Sequence, residues 1–208
     1  MADFTIFCIG TWHNTTEDNN ALVALHKACG YYNLGRVSDW GNMKSSQKSN
    51  TPLVAPKHGG YKLICEGQGA LGMTLESQAT RCVKEIEKIH ETYPVNTVRL
   101  VGHSRGAVLA IKIASKLATR NGAIGCDLFL YDPVKRSVNR DSVSSTIGDN
   151  VRNTRIVVSE DEDGWGFKPL NVRGDLGPSN YMRLPATHGT MTQITGTPIG
   201  KIGYMLAV

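Results

Sequence analysis

The chain reads as an α/β protein with a largely parallel central sheet flanked by helices, and three observations predict it. Short apolar runs end repeatedly in turn residues. These runs alternate with segments of helical periodicity, the order expected of strand–helix–strand units. The run Val98–Val101 passes through Gly102-His103-Ser104-Arg105-Gly106 straight into a third helical pattern, so a strand, a sharp turn and a helix follow without a spacer.

Phe4 to Ile9 is the first apolar run and is expected to be a buried strand. It ends in Gly10-Thr11-Trp12 and a polar loop from His13 to Asn20. Ala21 to Cys29 has the pattern of a short helix, with Asn19 or Asn20 as its cap and Gly30 suited to its C′ position. Residues 31 to 60 are rich in Gly, Ser, Asn, Lys and Pro and read as an irregular insertion that would lie over a cleft. Tyr61–Cys65 is the next strand. From Leu75, the spacing of Ala79, Cys82, Val83, Ile86 and Ile89 is helical, and Pro94 lies just past its end. Thr97–Val101 is the central strand. The following helix, from Ala107 to Leu117, is apolar over much of its circumference and should be buried, with Asn121-Gly122 as its stop. Three further strands are expected at Leu128–Tyr131, Arg155–Val158 and Tyr181–Leu184. The whole chain, 1 to 208, reads as one domain.

Composition narrows the classes. Hydrophobic residues make up 40 % and charged residues 20 %, ordinary for a soluble globular protein. No apolar run reaches membrane-spanning length, and Met1-Ala2-Asp3-Phe4 shows no secretory leader. A reducing, cytoplasmic setting is therefore expected, or export without a cleaved signal. The net charge of +5 comes from scattered basic residues. They read first as a solvated surface and second as peripheral attraction to anionic membranes; nucleic-acid binding has no motif behind it. Cys8, Cys29, Cys65, Cys82 and Cys126 include no C-x-x-C pair, and an odd count does not make a disulfide framework. They read as small buried hydrophobes.

Gly102-His103-Ser104-Arg105-Gly106 is a G-x-S-x-G nucleophile elbow in the strand–turn–helix setting that gives the motif its meaning. Side chains at Gly102 or Gly106 would meet the neighbouring strand or helix. Ser104 would stand at a helix N-terminus, among free backbone N–H groups. A serine hydroxyl needs a base, and the base needs an acid. After Ser104 the chain has one histidine, His188, which is thus the candidate base. The acid is open between Asp161, which follows the strand that more often supplies it and is the first choice, and Asp132, whose place before Pro133 also suits a simple turn residue. The oxyanion donors would be the backbone N–H of Arg105 and that of Thr11 or Trp12. His103 takes the variable position of the elbow and is given no catalytic role. No cofactor and no metal is called for by this chemistry.

These residues resemble a known family, the group 1 α/β-hydrolase lipase effectors of bacterial type VI secretion and their relatives. Gly10-Thr11-Trp12 with its polar loop is similar to the family's D-G-T-W-N, and Glu66-Gly67-Gln68-Gly69 to its G-x-G-T. Gly102-His103-Ser104-Arg105-Gly106-Ala107 matches its G-x-S-R-G-A, and Tyr131-Asp132-Pro133-Val134 is similar to F-D-T-V. Asp161-Glu162 and Leu184-Pro185-Ala186-Thr187-His188-Gly189 resemble D-E-R-R and F-P-G-x-H-S more loosely. The resemblance implies an α/β-hydrolase-like fold and a triad of Ser104, His188 and Asp161 or Asp132. It further implies an acyl ester or phospholipid substrate, with a secretion machine and an immunity protein as partners. Two other readings share the sequence: a non-catalytic binding domain of the same fold, and an acyl-thioesterase or protein deacylase.

Overall fold

The computed structural model describes residues 2–11, 13–38, 43–44, 59–67, 75–120, 124–135, 146–161, 168–174 and 180–194. Among these described residues, ten strands and three helices follow in chain order: β1 (Ala2–Cys8), α1 (Ala21–Ala28), β2 (Tyr32–Val37), β3 (Met43–Lys44), β4 (Gly60–Cys65), α2 (Leu75–Thr92), β5 (Val95–His103), α3 (Arg105–Ala118), β6 (Gly125–Tyr131), β7 (Val134–Lys135), β8 (Val151–Asp161), β9 (Lys168–Pro169) and β10 (Tyr181–Thr187). Eight of the strands form one sheet in the order β10-β8-β6-β5-β1-β4-β2-β3. Every neighbouring pair in it is parallel except β2 with the two-residue edge strand β3. The remaining pair, β7 and β9, is antiparallel. The predicted α/β class with a mostly parallel sheet is the observed one.

A parallel sheet must bury both faces, and the strands do so by alternation. Along β1, Phe4, Ile6 and Cys8 join a core with Leu75, Ala79, Val83 and Ile86 of α2 and the apolar side of α3. Phe7 and the adjoining Ile9 face the other way, into a second core with Leu22, Val23 and Leu25 of α1. The helices therefore cover opposite faces, two on one and one on the other. No helix among the described residues is long and apolar enough to cross a membrane. All five cysteines are free; four are buried in the core and Cys29 is half-buried.

Two local expectations fail for identifiable reasons. Residues 32–37, inside the segment read as irregular, form β2 beside β4, with a register shift between Asn33 and Arg36. Gly35 at φ 110° and the polar Asn33 and Arg36 hid the strand, whose buried residues are Leu34 and Val37. At the end of α1, Gly30 does not adopt the left-handed conformation; Cys29 leaves the helix extended. The helix-terminal carbonyls are met instead by a buried lysine: Lys62 Nζ donates to the His26 carbonyl at 2.7 Å and the Cys29 carbonyl at 2.5 Å. A cation at a helix C-terminus also complements the dipole. At the start, Asn20 Oδ1 accepts from the Leu22 and Val23 N–H groups, as a cap residue should.

The elbow depends on close backbone contacts. A Cβ at Gly106 would lie 2.0 Å from the Cys8 carbonyl oxygen, and one at Gly102 would lie 2.6 Å from Ala107 Cα. Neither neighbour is the tip of a flexible side chain, so neither gives way cheaply. Gly106→Val is expected to lower the thermal midpoint by about 10 °C or more, or to prevent folding, since overpacking backbone costs upward of about 1–3 kcal/mol; a melt followed by circular dichroism checks this.

Candidate active site

Strand register brings the site together. His103 pairs with Tyr131 across β5 and β6, so the next residue of each strand, Ser104 and Asp132, emerges side by side at the carboxyl edge of the sheet. That edge is where parallel sheets place their chemistry. Ser104 and Asp132 are also the two non-glycine residues with positive φ among the described residues, at 57° and 41°. Such backbone costs about 1–3 kcal/mol per residue and persists where surrounding contacts enforce it. Here the Ser104 N–H donates to the Tyr131 carbonyl at 2.9 Å, and the Asp132 N–H donates to the Val157 carbonyl at 2.6 Å.

His188 arrives from the turn directly after β10, the far edge strand. Its Nε2 lies 2.9 Å from Ser104 Oγ, and its Nδ1 lies 2.6 Å from Asp132 Oδ2. All three residues are buried, with 2 % of Ser104, 2 % of Asp132 and 7 % of His188 exposed. Burial works to raise the Asp132 carboxyl, but hydrogen bonds from His188 and Ser159 outweigh it and hold the group below the ordinary carboxylate range. An ionised Asp132 only accepts, so the proton between it and the ring belongs to His188 Nδ1. Nε2 is then left as the acceptor for the Ser104 hydroxyl.

The acid that His188 meets is Asp132, not the first choice of the sequence reading, Asp161. Tyr131 pairs with Val157, so Asp161 stands three residues farther along its strand than the level of Asp132, roughly 10 Å at strand rise. Its backbone pairs with Thr187, and its side chain lies outside the described residues. Ser159, closer to that level, serves Asp132: its Oγ donates to Oδ2 at 2.7 Å and its N–H to Oδ1 at 3.2 Å. Sequence reasoning missed Ser159, because only the strand register reveals it.

The loop after β1 closes the other side. The His13 N–H donates to the Gly10 carbonyl at 3.1 Å, a turn that carries Thr11 at its crest. A Cβ on Gly10 would stand 2.8 Å from His103 Nδ1 and 3.2 Å from Ser104 Cβ, so this turn packs directly on the elbow. Arg36 Nη1 donates to Glu66 Oε1 at 2.7 Å and Thr15 Oγ1 at 3.0 Å, tying the loop to β2 and the end of β4. Gly67 donates its N–H to the His13 carbonyl at 2.9 Å. Trp12, the other oxyanion candidate, and Gln68, Gly69, Glu162 and Asp163 lie outside the described residues. Arg105 opens α3, where the first N–H groups have no helical acceptor. Among the described residues, no cluster of three or more His, Cys, Asp or Glu side chains is arranged to hold a metal ion.

Two buried imidazoles make stability depend on pH. Burial, with the neighbouring Lys62 charge second, lowers His26 to about 4. Burial, with His188 and His13 next, lowers His103 to about 3. Unfolded histidine takes a proton near 6.5, so below that pH the unfolded chain binds protons that the folded one refuses. Stability is thus full above about pH 6.5 and is lost as pH falls toward 4 and then 3. A urea midpoint that drops steadily between pH 6.5 and 4 is the expected result; a flat midpoint over that range would exclude it.

Together these features define an α/β protein with a strand–elbow–helix unit at the carboxyl edge of a parallel sheet. No protein-family model matches the chain, and no curated protein matches it. Among solved structures it is similar to one from Lactobacillus plantarum WCFS1, described as a "putative cell surface hydrolase". The TM-score is 0.58 at 13 % identity, covering 99 % of this chain and 89 % of that one. At that identity the likeness is one of fold.

Proposed function

We propose that the protein is a serine hydrolase acting on carboxylic esters, of lipase or phospholipase type. The observation that carries this reading is the unbroken chain Asp132–His188–Ser104, at 2.6 and 2.9 Å. In this mechanism Ser104 Oγ attacks the ester carbonyl while His188 Nε2 takes the hydroxyl proton. Asp132, steadied by Ser159, keeps the proton on Nδ1 and balances the imidazolium. The backbone N–H groups of Arg105 and Thr11 receive the oxyanion. The tetrahedral intermediate collapses, the C–O bond to the alcohol breaks, and His188 returns its proton to that alcohol. Water, deprotonated by the same imidazole, then attacks the acyl-enzyme; the acyl C–O bond to Ser104 breaks, the imidazolium returns its proton to Ser104 Oγ, and the acid leaves.

A phospholipid substrate, contact with anionic membrane surfaces, and export with an immunity protein as partner extend this reading. They are supported by the motif resemblance and by the basic balance of charge. The direct test is reaction with a fluorophosphonate followed by peptide mapping. The label is expected on Ser104, and an unlabelled, folded protein would overturn the proposal. Parallel assays on phospholipid vesicles and soluble short-chain esters decide the substrate: preference for vesicles supports the lipase, preference for soluble esters removes it.

A further inference from the structure

One buried polar side chain in this site has no part in the mechanism above. His103, the variable residue of the elbow, is 2 % exposed. Neither of its ring nitrogens has a hydrogen-bond partner among the described residues. Its ring lies nearly parallel to that of His188, with centroids 5.0 Å apart and planes 28° from each other. On the other flank the His13 ring stands 6.2 Å away, tilted by 50°. The ring cannot withdraw, because Gly10 is packed against Nδ1 and the backbone is fixed by pairing with Tyr131.

From this geometry we infer that His103 is a positioning residue for the His188 base, its ring setting the plane in which Nε2 meets Ser104 Oγ. The inference rests on the serine-hydrolase reading and deepens it.

His188 needs such a support. It comes from a turn after an edge strand whose pairing with β8 shifts register between Leu184 and Thr187. The χ2 torsion of histidine is broad, and the contacts at Nδ1 and Nε2 lie in the plane of the ring, so the ring keeps freedom to tilt about the line joining them. A flat neighbour removes that freedom. Misplacement by about 1 Å costs on the order of 10²-fold in rate.

Charge matters as well. Burial first, and the neighbouring His188 and His13 next, keep His103 uncharged down to about pH 3. When His188 takes the Ser104 proton, the new imidazolium meets a π face and not a second cation. The titratable groups around the pair are Asp132 from the end of β6 and His13 from the loop after β1. Glu17 holds His13 from behind at 2.5 Å, and Arg105 follows on the same segment as His103.

The test compares H103F, which keeps a flat ring, with H103L, which fills similar space without one. With a soluble ester, H103F is expected within about threefold of wild-type kcat. H103L is expected to lose about tenfold to a hundredfold in kcat with KM within about twofold. Thermal melts establish that each variant is folded. If H103L does not fold, H103M replaces it with the same expectations, since an unbranched chain fits irregular space. Folded H103L equal to H103F in kcat, or a loss in H103L carried by KM and not by kcat, overturns the inference. Wild-type protein that neither takes the fluorophosphonate nor hydrolyses esters overturns the parent reading instead, so the two failures are distinguishable.

Discussion

Ser104→Ala is expected to abolish fluorophosphonate labelling and to lower kcat for ester hydrolysis by about 10⁵–10⁶-fold, with the melting curve close to that of the wild type. The size follows from the way a nucleophile and its base act as one unit: removing either costs about as much as removing the whole set, and the residue left over is the contribution of the oxyanion donors and binding. The fold should tolerate the change. Ser104 makes no side-chain cap bond to α3, and the Oγ contact that disappears is the one to His188 Nε2. Its strained φ of 57° is enforced by backbone contacts that alanine retains, including the N–H bond to the Tyr131 carbonyl. A folded variant that keeps ester hydrolysis within tenfold of wild type would remove Ser104 as the nucleophile.

Asp132→Asn carries the second large effect, about 10⁴-fold in kcat, and it separates the two candidate acids. Asparagine preserves the volume, and its amide oxygen can still face His188. Yet the amide can equally present N–H₂ to Nδ1, which favours the ring with its proton on Nε2, the wrong nitrogen for a base toward Ser104. The negative charge that balances the imidazolium is lost as well. Asp161→Asn should stay within about threefold of wild type, because the Nδ1 position is already taken by Asp132. The comparison is one assay on two variants. A large loss in Asp161→Asn with Asp132→Asn near wild type would reverse the assignment.

The difference between those two aspartates shows how far the sequence could be read. The elbow was legible because it is local: strand, turn and helix are contiguous, and Gly102 and Gly106 stand where backbone approaches to within a Cβ radius. His188 was legible by elimination, as the one histidine after Ser104. The acid was ambiguous because both aspartates follow apolar runs. What separates them is lateral register, the pairing of His103 with Tyr131 and of Tyr131 with Val157, which no single segment encodes. The same holds for Ser159, whose role exists only across two strands. β2 was hidden for another reason. Gly35 and a register shift break its pattern, and its strand state is imposed by pairing with β4 more than by its own residues.

The stacked pair of imidazoles also bears on how the elbow position itself is chosen. The variable letter of G-x-S-x-G is free in principle, since the reaction never touches it. Here its ring is hemmed in by Gly10 and His13 of the loop after β1 on one flank and by His188 on the other. Substitution at that letter thus propagates to two separate segments at once. A library that varied the neighbourhood for new substrates would have to treat both segments and the elbow as a single adjustable block, because altering one alone would misalign the other two.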